Sequence, residues 1–473
     1  MNSYRAPRDV YERLAAATPA ERAAIVLRLI EEHPAKRLEL PAYDGLHAVL
    51  DEVDLSPEAL ESLGEPHGAG PWRDPESGGI NLSGADLQGA SLRNADLRRG
   101  CLSNADLRGA LMGGAKLSAA RLDGADLRRA DLAGADLAGA ALGQADLRGA
   151  MLEETDLRAA TLRFAKLGDA VLEEARLAKA DLWGADFDGA DLTNADLRGA
   201  LLEEAHLARA DLTNANLQET ILRRADLREA KLVGADLRGA TLGNAVLRGA
   251  VLRDAKLQET DLTHCDLTHV HMSGARLDDT RFGREQLGGA IGEELTREFD
   301  EARKGYLSLE RAFQNLGDHD AAAWAYRRRR RMQKRGALEQ ARAAHAARQW
   351  GPMTRFYAVY ASDQFVEWVC DYGESIPRVF ASLLALYLLF CAAYGLTGSV
   401  VREQETPNGI IKVPTRHPVD LAIFGLLAMT TGSIGIRLLP AHDLALALVG
   451  LHVFLGVALI GLLGFVLGNR IRR

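Results

Sequence analysis

The residues best suited to handling an ion lie near the end of this 473-residue chain, in Thr430-Thr431-Gly432-Ser433-Ile434-Gly435. Threonine and serine hydroxyls, with backbone carbonyls that glycines leave free to turn, can replace an ion's lost hydration shell. Asp420, Arg437 and Asp443 are the charges that bracket the stretch. Residues that could do catalysis are not grouped in this way. Cys101, Cys265, Cys370 and Cys391 are scattered, with no CxxC pair and no His/Cys ligand spacing. They read as idle thiols in a reducing compartment and supply no metal site. The acid pairs Glu153-Glu154, Glu173-Glu174 and Glu203-Glu204 have no companion base, nucleophile or ligand and read as solvated faces. The expectation is a protein that is not an enzyme and holds neither cofactor nor metal.

Two greasy segments must position the polar stretch. Val379–Val401 and Leu444–Gly468 carry no charge, and each exceeds the roughly 20 residues needed to cross a bilayer. They read as two transmembrane helices of a multi-pass cell-membrane protein. Arg355 and Arg378 precede the first, and Arg470, Arg472 and Arg473 follow the second. This places both termini in the cytoplasm. Between the helices, Leu421–Ile436 is apolar but too short to span. A segment that enters hydrocarbon and turns back must hide its backbone in protein or line a wet cavity.

Helix, short apolar dip with a "TTGSIG" turn, and second helix together resemble the two-transmembrane pore-loop channels of the potassium-channel superfamily. The resemblance implies a homotetramer passing potassium or another monovalent cation. Its filter would be Thr430, Thr431, Gly432, Ser433, Ile434 and Gly435, with Asp420, Arg437 and Asp443 at the pore mouth. Against that family's TVGYG motif, one register keeps Thr431 and Gly435, and the other keeps Thr430 and Gly432. Either way one of the two filter glycines is replaced, and a left-handed non-glycine residue costs about 1–2 kcal/mol. Gly456, Gly461 and Gly464 read either as a gate hinge or as close-packing residues. His452 reads as a packed, hydrogen-bonded histidine in preference to a proton sensor.

Upstream, an apolar residue recurs at every fifth position from Leu82 to Phe282, and a small residue stands two places before it. On an α-helix five residues advance about 500°, which would scatter the leucines around the axis. On a flat strand an odd period would flip each one to the opposite face. The pattern closes only if the chain turns a corner once per repeat, so that four short walls form one square coil. Motifs such as "ADLRGA" (Ala195–Ala200) and "ANLQET" (Ala215–Thr220) resemble the pentapeptide-repeat family. That resemblance implies a right-handed quadrilateral β-helix over 80–283, about ten coils at about 4.8 Å each.

The expected fold class is therefore multidomain: the β-helix, flanking α-helical regions, and a C-terminal all-α two-transmembrane pore-loop domain. Residues 1–70 read as an N-terminal helical region, opened by the Thr18-Pro19-Ala20-Glu21 start signal and again by Ser56-Pro57. Residues 284–375 read as a helical coupling region with a hairpin at Leu316–Asp318, and 376–473 as the membrane domain. No cleaved signal peptide is expected, because the first residues lack a basic stretch followed by an apolar one. The basic run Arg327–Arg331 with Lys334 and Arg335 reads first as a solvated or salt-bridged helix face and second as a contact for anionic lipid. A formal charge of −8 with interspersed signs argues against nucleic acid as a partner. Two functions follow. The first is an ion channel subunit whose cytoplasmic solenoid senses or docks a partner or ligand. The second is a non-conducting, membrane-anchored scaffold built on that solenoid.

Overall fold

The computed structural model of the chain describes residues 3–32, 37–40, 50–55, 74, 77–373, 375–406, 409–430 and 438–471. It divides into two compact units, residues 1–325 and 326–473.

The first unit is dominated by the solenoid. Asp106 bridges Asp126, and Asp126 bridges Asp146, so the rise from coil to coil takes twenty residues; the same parallel pairing runs from Asn81 to Arg281. Every fifth-position centre from Leu82 to Phe282 is buried, and so is the small residue two places before it. Where that small residue is threonine the hydroxyl finds a carbonyl: Thr155 donates to Leu132 O at 2.9 Å and Thr220 to Leu217 O at 2.7 Å. A polar atom in the narrow interior is thus never left without a partner at these positions.

Each corner is a β-turn closed by a backbone bond such as Ala125 N–H to Leu122 O at 3.0 Å. Its third residue is left-handed, as in Gly124 (φ 66°) and Asn104 (φ 58°). Glycine and asparagine tolerate that region best, yet Phe164 also occupies it at φ 56°. The recurrent aspartates hold the corners. Asp131 and Asp136 accept from the backbone N–H two residues on, at 3.2 and 3.0 Å. Asp126 and Asp146 add side-chain pairs to Arg128 and Arg148, both at 2.6 Å. The Arg148 side chain holds the Asp146 carboxyl below its ordinary range, although partial burial works against ionisation.

Both edges of the solenoid are covered. At the start lie strand β1 (Ser3–Arg5), helices α1 (Arg8–Ala16) and α2 (Pro19–Glu32), and strand β2 (Arg37–Glu39), with β1 and β2 paired in parallel. Thr18 and Glu21 form the reciprocal cap expected of them, with Thr18 N–H donating to Glu21 Oε2 at 2.8 Å. Residues 50–55 do not continue the helical pattern. Leu50 N–H donates to Ser91 O at 2.6 Å, Leu55 N–H to Asp96 O at 2.8 Å, and Asp96 N–H to Val53 O at 2.7 Å. Leu50, Val53 and Leu55 are buried there, so the N-terminal region is mixed and not all-helical. The proposed start at Ser56-Pro57 lies outside the described residues.

At the far end the Gln286 side chain donates to Leu262 O (2.6 Å) and Cys265 O (2.9 Å). Gly292 N–H donates to Val270 O at 2.8 Å, and Ser273 N–H donates to the Glu293 carboxylate at 2.7 Å. The one-turn helix α3 (Gly292–Leu295) carries that glutamate. Helix α4 (Phe299–Asn315) then leads through Leu316–Asp318 into α5 (His319–Ala346). Tyr306 of α4 meets Trp324 of α5 edge to face at 5.6 Å.

In the second unit α5 runs on and is followed by α6 (Trp350–Cys370), α7 (Ile376–Thr397), strands β3 (Val400–Thr406) and β4 (Gly409–Pro414), α8 (Pro418–Thr430), strand β5 (Leu438–Pro440) and α9 (Asp443–Ile471). Two expectations are corrected here. The unit is not all-α, because β4, β3 and β5 form an antiparallel sheet in that order. And the first greasy helix stops at Thr397: Gly398 turns left-handed (φ 61°) and Val400 begins β3. The apolar Val400-Val401 belongs to the strand, where β-branched residues fit.

Candidate functional site

α7 and α9 are each long and apolar enough to span a membrane, and only 22% and 17% of their apolar stretches are buried within the chain. Most of their greasy surface is left uncovered by the rest of the chain. Between them stands α8. Its N-terminal side is tied to the sheet, since Pro414 pairs with Val401 of β3. After α8 the chain returns to the same strand, with Pro440 pairing with Val400.

The packing follows the descent of α8. Leu421, Phe424 and Ala428 cluster with Phe390, Tyr394 and Val449. Met429 reaches a second cluster with Val379, Leu383 and Val466, near the opposite ends of α7 and α9. Two glycines allow the close approach. A Cβ on Gly425 would lie 2.6 Å from Cys391 Sγ of α7, and one on Gly456 would lie 2.9 Å from the Met429 carbonyl oxygen. The Tyr387 hydroxyl also donates to Ala422 O of α8 at 3.0 Å.

The proposed site residues fall as follows. Thr430 ends α8, while Thr431, Gly432, Ser433, Ile434, Gly435 and Arg437 lie outside the described residues. Asp420 accepts from the Thr415 hydroxyl at 2.8 Å and from Arg402 at 3.5 Å, so a β3 arginine meets it. Asp443 opens α9 and is exposed. Gly456, Gly461 and Gly464 all lie within the continuous helix α9. Gly456 packs against Met429, whereas a side chain at Gly461 or Gly464 would meet open space. His452 is fully buried, 3.1 Å through Nδ1 from the Tyr394 hydroxyl and stacked on Phe390 at 4.2 Å. This is the packed arrangement. Gly425 and Tyr387 escaped the sequence reading; a glycine within a short apolar helix was the available signal.

The basic run of α5 is a salt-bridged face. Arg330 pairs with the buried Asp363 of α6, Arg331 reaches Glu367 at 2.9 Å and Asp371 at 3.3 Å, and Lys334 also binds Glu367. Burial pushes the Asp363 carboxyl up despite its cations. Burial also opposes ionisation of Glu367, but Lys334 and Arg331 outweigh it and hold that carboxyl below its ordinary range. Beyond Cys370 the chain bends through left-handed Asp371, Tyr372 and Gly373, and the Ser375 side chain caps α7. Among the described residues no cluster of three metal-ligating side chains occurs.

Residues 78–149 and 155–284 match the family model described as pentapeptide repeats. HetL, a pentapeptide repeat protein involved in heterocyst differentiation regulation from the cyanobacterium Nostoc sp. strain PCC 7120, is 32% identical. The match covers 54% of this chain and 96% of HetL, with a TM-score of 0.34. Rfr23 from the cyanobacterium Cyanothece 51142 is 37% identical over 21% of this chain and 64% of its own, with a TM-score of 0.14. QnrB1, a plasmid-mediated fluoroquinolone resistance protein, is 19% identical over 42% of this chain and 95% of its own, with a TM-score of 0.20. No curated protein matches the chain.

Proposed function

This chain belongs to the pentapeptide-repeat proteins through residues 78–284, and from that premise we propose that it is a membrane-anchored interaction scaffold. The carrying observation is an uninterrupted stack of coils joined in one chain to two helices whose apolar surfaces are largely unburied. Such a stack presents a fixed row of outward side chains to a partner, as solenoids do. Its carboxylates hold corners and pair with arginines, which is structural work and not catalysis. The positive charges flanking α7 and α9 favour a cytoplasmic solenoid.

The full-length protein is expected to float with lipid vesicles and to stay with them through an alkaline wash. Leu386→Arg with Leu455→Arg places a charge within each helix, at about 2.5–3.5 kcal/mol each on the insertion scale, and should release it. A monodisperse detergent-free solution of the unaltered chain would end the proposal.

A second reading, a homotetrameric channel for potassium or another monovalent cation, is favoured by one observation. Pro414, at the end of β4, and Pro440, in β5, pair with neighbouring residues of β3, and α8, which lies between them in the chain, packs against both long helices. Chain that dips and returns in hydrocarbon must be enclosed or line water. Under this reading, reconstituted protein gives unitary currents whose reversal potential in asymmetric KCl and NaCl names the ion. Gly432→Val and Gly435→Val abolish them. Silent bilayers from assembled protein leave the scaffold alone.

A further inference from the structure

The geometry points to a phospholipid site: α6, α7 and α9 enclose a groove of about 560 Å³ that seats an acyl chain of an anionic phospholipid, with its phosphate at Arg378. The inference rests on the reading that α7 and α9 span a membrane.

The walls come from Phe365 and Val369 of α6, Leu386 and Leu389 of α7, and Leu455 and Leu462 of α9. The one hydroxyl among the lining side chains, Ser382, is already turned to the Val369 carbonyl at 3.3 Å. A polar occupant would find almost nothing to bond there, and its desolvation would go uncompensated. Hydrocarbon suffers no such loss.

Depth fits as well. Ser382 to Leu389 covers about 10 Å of α7 at 1.5 Å per residue, beginning a turn and a half from the helix start at Ile376. The groove ends at Leu389, ten residues or about 15 Å beyond Val379, where the charge-free stretch begins, close to the depth of a single leaflet in a hydrocarbon core of about 30 Å.

At that end the groove runs into a second, polar cavity. The two share Trp368, Ser382 and Ala385, and the polar one is lined by Lys334, Gln364, Glu367 and Arg378. Lys334 is taken up by Glu367. Arg378 donates from Nη1 to the Glu367 carbonyl at 2.9 Å, and Asp371 stands 3.7 Å from the same nitrogen. Its side chain remains 48% exposed, which leaves further guanidinium donors for a phosphate oxygen. Trp368, 62% exposed, lies where apolar wall meets polar mouth, the place indoles favour at a bilayer surface. One continuous trough that changes from polar, with the half-exposed Arg378 guanidinium at its mouth, to apolar along its length matches a single amphiphile better than it matches a protein surface.

The test uses full-length protein in mixed phosphatidylglycerol and phosphatidylcholine vesicles, then native mass spectrometry after gentle extraction. The expected result is one retained phosphatidylglycerol per chain, preferred about fivefold over phosphatidylcholine, as one basic residue near a membrane surface implies. Arg378→Gln should bring the preference to parity. Ala458→Trp, which fills the groove, should remove retained lipid altogether, and the gentler Ala385→Leu should remove part of it. Equal retention of both lipids by the unaltered chain, or retention indifferent to both groove variants, overturns the site. So does release by inorganic phosphate alone, which would leave an anion contact without an acyl seat. A fall in subunit number with Ala458→Trp would make the groove a contact between copies and overturn it too. Vesicle flotation of the same samples separates the two ideas. A chain that does not float refutes the spanning helices, and one that floats with unchanged lipid refutes only the site.

Discussion

Leu177→Asp is expected to destroy the cooperative melt of the solenoid, and Leu177→Ala to lower its stability by about 2–5 kcal/mol, the usual cost of emptying a leucine site in a core. Leu177 is fully buried in a middle coil, in line with Leu157 and Leu197 of the coils on either side. An aspartate there would have no donor. Its carboxylate would have to be protonated or the coil opened to water. Coils in such a stack support one another only through neighbours, so an opened middle coil separates two shorter halves. Far-ultraviolet circular dichroism on heating checks both variants. A midpoint for Leu177→Asp that stays beside that of the parent would mean the interior is not the packed column described here.

Arg330→Met should be the second large effect, and it carries a pH signature. Arg330 keeps 27% of its side chain exposed and Asp363 only 3%. Removing one partner of a buried pair costs about 3–5 kcal/mol, and the partial exposure of the arginine favours the lower end. Burial already raises the Asp363 carboxyl, and losing the guanidinium raises it further. An acid whose folded pKa lies above its unfolded one loses stability as pH rises from the unfolded value towards the folded one, because the unfolded chain ionises first. The loss relative to the parent should therefore be small at pH 4 and complete near pH 8. Adding Asp363→Asn should flatten that dependence. Chemical denaturation in detergent across that range reads the difference. A loss that is equal at both ends of the range would remove Asp363 from the explanation.

What could be read in advance followed from how far a pattern determines its own geometry. The five-residue beat leaves the chain one way to keep every leucine inside, so the coils from Leu82 to Phe282 could be drawn before any coordinates. The Asp residues after each small residue were legible as repeat members, but not as corner holders. Their bond to the N–H two residues on falls just before the left-handed third turn residue, which glycine, asparagine and even Phe164 occupy. Leu50 and Leu55 also stand five apart, with Val53 two places before Leu55, but two positions are too few to announce the beat, and it is their pairing with the open edge of the first coil that shows it. The two greasy helices were plain from length. The end of α7 at Thr397 was not, because Val400-Val401 is as apolar as the helix before it and only the pairing with Pro414 and Pro440 makes it strand. Asp420 was legible as a charge near the dip, yet its partner Arg402 comes from a strand the sequence reading had not placed. Gly425 acquires meaning only once Cys391 is seen against it.

A pile of parallel strands is, by its nature, a template at each terminus, and an identical molecule could add there and continue as a fibre. Here Leu50–Leu55 occupies the amides and carbonyls at one terminus, and Gln286, Gly292 and Glu293 occupy those at the other. The rod is therefore finite by construction. A second copy would find those ladder groups already paired, and the four walls and corners are the surfaces the coils leave open.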